Sequence, residues 1–232
     1  MTPLRICYGG SFDPVHNGHL AVACAARDAF AASVYLLPAG DPPHKDSTHA
    51  DAAQRAQMLA LAIEGQAGLH VDARELARSG PSYSVDTLAQ LRAELGPSTP
   101  IAWLLGADSL HQLHHWHRWH ELFSLAHIIC VQRPGAALDA ASLRQHAPEV
   151  LAEIGERWLP PLALANAASG GFAVLPLPQL RPESSTELRR RIHNGDNWQA
   201  WVPPSVAAYI VQQDLYRSAP VILPPSTSST YP

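Results

Sequence analysis

The chain has 232 residues, 47% of them apolar, and a formal net charge of −4 from 16 Lys and Arg against 20 Asp and Glu. That is enough apolar material for one sizeable core, and the absence of a broad basic field excludes nucleic acid as the main partner while leaving room for a local pocket that takes a small anion. No apolar stretch approaches the roughly 20 residues of a membrane-spanning helix, and Cys7, Cys24 and Cys130 lie in apolar or Ala-rich segments, as expected of reduced, buried thiols. A cytoplasmic protein with no membrane partner is the expectation, and a homo-oligomer is compatible with it.

Taken in order, apolar runs of strand length fall at residues 4–8, 33–37, 69–72, 101–105, 127–131 and 172–175. Segments of helical composition lie between them, at 19–30, 51–64, 84–94 and 142–157. Short strands alternating with helices predict an α/β, Rossmann-like parallel sheet with helices on both faces. In such a sheet ligands bind at the carboxyl ends of the strands, near the point where strand order reverses. Residues 1–217 read as one domain, 160–182 as loop-rich around one short strand, and 218–232 as a tail without periodicity.

The first strand runs directly into "GGSFDPVHNGHL", Gly9 to Leu20. Gly9 and Gly10 let backbone approach a ligand closely, Asp13-Pro14 makes a turn, and His16 and His19 open a helix near Gly18, where amides and the helix dipole favour an anion. A tight strand-to-helix turn with surface histidines is the plainer alternative. As a whole the string resembles the signature of the H-x-G-H nucleotidyltransferase superfamily. That resemblance implies a loop in which Gly9, Gly10, Ser11, Phe12 and Gly18 bind ATP phosphates, with His16 and His19 donating to them.

The other strand ends add to this. "PPHK", reaching His44 and Lys45 after the second strand, is by itself an ordinary exposed turn, but it resembles an element of the nicotinate mononucleotide adenylyltransferase branch. "SGPSYSVDTL" offers Ser82 or Ser84 as a helix cap. In the branch resembled, the similar segment contributes a Thr to the pyridine-nucleotide pocket, at the position of Thr87. After the fourth strand, Gly106 leaves space for a nucleoside and Asp108 suits ribose hydroxyls, or else caps the next helix. The histidine-rich stretch 111–120 carries no acidic or cysteine partner and reads as a solvated face rather than a metal site. Within it, Trp116 matches the tryptophan that stacks on nicotinate in the branch resembled, with the amide of His117 holding the ring carboxylate; Trp119 reads as core. Arg133 falls at the carboxyl end of the fifth strand, where it is expected either to reach substrate phosphate or simply to terminate the strand.

"PESSTELRRRI" carries a capping pattern at Ser184 or Ser185 with Glu187, and it also resembles the superfamily's second signature. Ser184, Ser185 and Thr186 are then expected on phosphate, with Arg189 bracing it. Glu183 replaces the usual Ile, an acid expected to point away from the triphosphate. The implied reaction is direct attack of the phosphate of nicotinate mononucleotide on the α-phosphate of ATP, releasing pyrophosphate, with Mg2+ carried by ATP and no dedicated protein metal site. Adenylylation of nicotinamide mononucleotide or phosphopantetheine and a silent nucleotide-binding protein are the alternatives.

Overall fold

In strand after strand, successive residues divide between two apolar clusters, one on each face of the sheet. Ile6, Ala102, Leu104, Ile129, Val131 and Ala173 belong to one cluster, and Cys7, Ile101, Trp103, Ile128 and Cys130 to the other. The period of two in side-chain direction therefore makes a sheet buried on both sides. A computed structural model describes residues 3–40, 49–78, 80–132, 140–179 and 181–217. His44, Lys45, Arg133 and the tail at 218–232 lie outside the described residues.

The strands are β1 (Arg5–Gly10), β2 (Ser33–Pro38), β3 (Leu69–Val71), β4 (Ile101–Gly106), β5 (His127–Gln132) and β6 (Phe172–Pro176). All pair in parallel in the order β3-β2-β1-β4-β5-β6. The chain winds outward through β2 and β3, returns to the far side of β1, and continues outward again. The reversal falls between β1 and β4, the topological switch point of a Rossmann-like sheet.

Helices cover the faces: α1 (Asn17–Phe30), α2 (Ala52–Ile63), α3 (Ser84–Leu95), α4 (Ala107–His111), α5 (Leu122–Leu125), α6 (Ala140–His146), α7 (Pro148–Ile154), α8 (Ser185–Asn194) and α9 (Pro204–Gln212). Helix α1 buries Ala23 and Ala26 completely, small side chains that bring its axis close to the sheet. It ends where Ala31 turns left-handed and donates its N–H to the Arg27 carbonyl. Helix α2 begins with a capping box: Asp51 Oδ1 accepts from Gln54 N at 2.8 Å, and Gln54 Oε1 accepts from Asp51 N at 2.9 Å.

Two expectations change in detail. The single helix expected over 142–157 is two, α6 and α7, because Pro148 lacks an N–H and disfavours helical backbone at the residue before it; Ala147 sits at φ −152°, ψ 61°. The loop-rich stretch also contains a 3-10 turn at Pro161–Asn166 ahead of β6. Burial raises the thiols of Cys7 to about 11 and of Cys130 to about 12, so both are protonated, inert core groups at neutral pH. Cys24 is half-buried and also free.

Candidate active site

A cavity of about 760 Å3 opens over the carboxyl ends of β1 and β4, on the two sides of the switch point. Tyr8, Gly9 and Gly10 line it from β1 with Ser11 just after, and Leu104, Leu105 and Gly106 from β4 with Asp108 in the first turn of α4. His19 enters from the first turn of α1, and the opposite wall carries Ser82, Tyr83, Ser84, Trp116 and His117. The sequence thus brings its glycine loop, the G-A-D-S strand end and the aromatic segment to one space.

The glycines differ in purpose. A Cβ on Gly9 would lie 2.6 Å from Cζ2 of Trp103, so this glycine lets the β4 tryptophan pack against β1. A Cβ on Gly18 would meet His16 Nδ1 at 3.0 Å. At Gly106 a Cβ would meet nothing within 4 Å; it would stand in the cavity. Phe12, expected among the phosphate residues, does not line the cavity. It is buried, holds a left-handed φ of 47°, and sets its ring edge-on to Tyr8 and His19 at centroid distances of 5.5 and 4.9 Å. That backbone region is disfavoured for a side chain of this size, and the ring contacts hold it there.

His16 and His19 stack with centroids 3.7 Å apart, but only His19 lines the cavity. The amide of His16 donates to Nδ1 of His19 at 3.3 Å, which leaves the His19 ring proton on Nε2 as a donor. His16 itself is buried at the helix start.

The second signature meets the first through backbone. Ser185 Oγ donates to the Pro14 carbonyl at 2.9 Å, and Arg189 donates to the Asp13 carbonyl at 2.7 Å. The Ser184 hydroxyl accepts from Glu187 N at 3.2 Å as the cap of α8, and Ser184 and Thr186 are exposed. None of Ser184, Ser185, Thr186 and Arg189 lines the cavity. Glu183 accepts from Arg181 at 2.8 Å, so the acid in this signature is paired with a cation.

Two buried side chains hold the loops: Arg55, which belongs to no recognised motif, and Asp13, which lies within the first signature. Arg55 on α2 is 1% exposed and donates to three backbone carbonyls: Ala39 at 2.6 Å, Ser11 at 3.0 Å and Gly40 at 3.3 Å. Asp13, 3% exposed, accepts from His49 N at 2.8 Å, Ala50 N at 3.2 Å and the Tyr216 hydroxyl at 2.7 Å. Burial and the neighbouring Asp13 carboxylate push the Tyr216 hydroxyl well above the usual tyrosine range, so it serves Asp13 as a donor. Arg55 had a signal: it shares the buried stripe of α2 with Met58, Leu59 and Ala62, at spacings of three, four and seven, where an ion is out of place unless it has partners.

At the aromatic end, Trp116 is partly buried, and Tyr83 lies over His117 with centroids 4.5 Å apart. Trp119 is core, as expected. Ser82 and Ser84 do not cap α3, whose N-cap is Tyr83 without a side-chain bond; both serines line the cavity instead. Thr87 is fully buried and does not line the cavity. Its hydroxyl donates to Glu75, a carboxylate on the cavity wall, at 2.7 Å. Among the described residues no group of three or more His, Cys, Asp or Glu could hold a metal ion, and no helix is long and apolar enough to cross a membrane.

A parallel sheet with its site at the switch point and both signature loops on one side defines the class: the cytidylyltransferase-like family matches over residues 7–191. Among curated relatives, a "Probable nicotinate-nucleotide adenylyltransferase" of Stenotrophomonas maltophilia (strain K279a) is 47% identical over 227 residues, covering 94% of this chain and 99% of the relative. One of the same description from Xylella fastidiosa (strain M12) is 40% identical over 220 residues, covering 93% and 97%. The chain belongs to the nicotinate-nucleotide adenylyltransferase family. Its fold is shared with a solved Plasmodium falciparum nicotinic acid mononucleotide adenylyltransferase complexed with NaAD, at a TM-score of 0.69 and 18% identity over 92% of this chain and 97% of that one.

Proposed function

We propose that the cavity holds ATP, as its magnesium complex, over the Gly9–Ser11 loop and His19, and nicotinate mononucleotide against the Trp116 wall. The reaction is adenylyl transfer in NAD biosynthesis, giving nicotinate adenine dinucleotide and pyrophosphate. A phosphate oxygen of the mononucleotide forms a bond to the α-phosphorus of ATP, and the bond to the pyrophosphate oxygen breaks. Such a displacement needs alignment and neutralisation of shifting charge more than covalent help. The inert state of Cys7 and Cys130 agrees with a direct step.

The observation that carries this reading is one cavity that joins a glycine loop and a polarised His19 at one end to an aromatic wall at the other. In this scheme the amides of Gly10 and Ser11 and the Nε2–H of His19 donate to phosphate oxygens. His16 acts through its amide, which sets the His19 tautomer. Gly106 leaves space for the nucleoside, and Asp108 accepts from ribose hydroxyls. Trp116 stacks on the pyridine ring, whose electron-poor face suits an indole. Arg189 stands outside the cavity wall and supports the phosphate loop through the Asp13 carbonyl. His44 offers an imidazole donor and Lys45 and Arg133 a positive charge, chemistry suited to phosphate oxygens.

The test is pyrophosphate release from MgATP with nicotinate mononucleotide, nicotinamide mononucleotide and phosphopantetheine offered in parallel. Strong preference for the first is expected. Preference for phosphopantetheine would remove Trp116 from ring recognition, and no release with any acceptor would make the protein a silent nucleotide binder.

A further inference from the structure

Thr87 raises a question that its burial does not dispose of: a residue expected in the pyridine pocket stands behind the wall, with its hydroxyl spent on another side chain. That side chain, Glu75, is 5% exposed and lies on the cavity. Thr87 Oγ1 donates to Glu75 Oε1 at 2.7 Å while accepting from Arg78 at 3.1 Å, so the Thr87 hydroxyl has one defined direction. Ser82 also hydrogen-bonds the Glu75 carboxylate. The Ser82 oxygen in turn accepts from the Gly40 amide at 3.2 Å. The fit around this chain is tight: a Cβ on Gly40 would stand 2.6 Å from the Glu75 carbonyl oxygen and 2.8 Å from Ser82 Oγ. Gly40 carbonyl is gripped by Arg55, and Ala39 N donates to the Gly10 carbonyl at 2.8 Å. One hydrogen-bonded path therefore runs from Arg78 through Thr87, Glu75 and Ser82 to Gly40, and from there to the glycine loop.

We infer that Glu75, oriented by Thr87, is a positioning residue for the mononucleotide: by holding Ser82 it fixes the Ser82–Ser84 segment, whose Tyr83 packs on His117 next to Trp116, and so steadies the wall that receives the pyridine nucleotide. This rests on the reading of the Trp116 end as the mononucleotide site. A carboxylate is suited to the task because it accepts from both hydroxyls at once, and a buried network with every member satisfied is rigid where a partly satisfied one is not. Burial raises the Glu75 carboxyl above the usual range, and bonds from Thr87 and Ser82 with the charge of Arg78 oppose that rise. An amide of the same size has one acceptor oxygen where the carboxylate has two, so one of the two hydroxyls must turn round to accept from the amide NH2, which loosens the wall.

The experiment is steady-state kinetics of Glu75→Gln, Thr87→Val and Thr87→Ser beside Trp116→Ala, with each substrate varied in turn. Glu75→Gln is expected to raise KM for nicotinate mononucleotide about tenfold, the scale of one net hydrogen bond to a charged group, with KM for ATP and kcat within about twofold. Thr87→Val is expected to follow in the same direction by a smaller factor, and Thr87→Ser to restore the wild-type value. Should Glu75→Gln fail to fold, the Thr87 pair decides. Equal rises in both KM values, or a fall in thermal stability without a KM shift, would overturn the inference while a selective effect of Trp116→Ala kept the function reading. A Trp116→Ala variant that raised both KM values equally would overturn the two together.

Discussion

The two ends of the cavity are held by opposite means. At the end proposed for phosphate the surface is largely backbone, and its shape depends on groups beneath it: Phe12 in a left-handed conformation, Arg55 on three carbonyls, Arg189 on a fourth. At the end proposed for the pyridine ring the surface is side chain, Trp116, His117 and Tyr83, backed by a hydrogen-bonded carboxylate. The difference fits the tasks. Donors that meet charge as it develops must be placed before the reaction and cannot shift without loss, whereas a flat ring is recognised by area and tolerates small movements. Damage at the first end should therefore appear in turnover and stability, and damage at the second in one Michaelis constant.

The sharpest way to break this comparison is Arg55→Met, which keeps an apolar stem on α2 but leaves three partly buried carbonyls without their guanidinium donor. A loss of about 3 kcal/mol or more in unfolding free energy is expected from urea titration with an unchanged m value. A loss under about 1 kcal/mol would mean that water or a shifted loop replaces the guanidinium, and that the phosphate end is not held from below. Next in size, His19→Ala should lower kcat about a hundredfold or more, the scale for removing one preorganised donor. Near-normal turnover would take His19 out of the reaction and leave backbone amides alone at that end.

The smallest effect concerns the ring end and pH. The folded-state pKa of Glu75 lies above its ordinary value, chiefly through burial. The folded protein then holds the Glu75 proton more tightly than the unfolded chain, so the associated stability is fully present below the unfolded pKa and declines as pH rises through the folded one. Glu75→Gln lacks this decline. The stability difference between wild type and variant, followed by denaturant titration from about pH 4 to 8, should move in favour of the variant as pH rises. Parallel curves would show that the carboxylate is as well solvated in the fold as in the unfolded chain.

Much of this architecture is legible in the order of the amino acids. The six apolar runs correspond to the six strands, and their alternation with helical segments corresponds to a parallel sheet covered on both faces. The string from Gly9 to Leu20, the G-A-D-S strand end and Trp116 do converge on one cavity. The division of α6 from α7 was also open to view in Pro148, whose effect on the residue before it is local. Less legible was what each signature residue does on arrival. Phe12, His16, Ser185 and Arg189 sit within the two signatures yet hold loop backbone or pack beneath it. Thr87 gave way to Ser82, Ser84 and Glu75 on the wall itself.

What the sequence determined by itself is the set of elements and the residues that gather at the strand ends, because periodicity, turn residues and strand-to-helix order are local properties of the chain. Only the tertiary structure decided which of those residues line the cavity and which brace the loops. The acceptors that Arg55, Ser185 and Arg189 find include main-chain carbonyls 44, 171 and 176 residues away. A carbonyl looks the same at every position of a sequence. Its value as a partner arises when packing takes it out of water and a distant donor must replace the solvent.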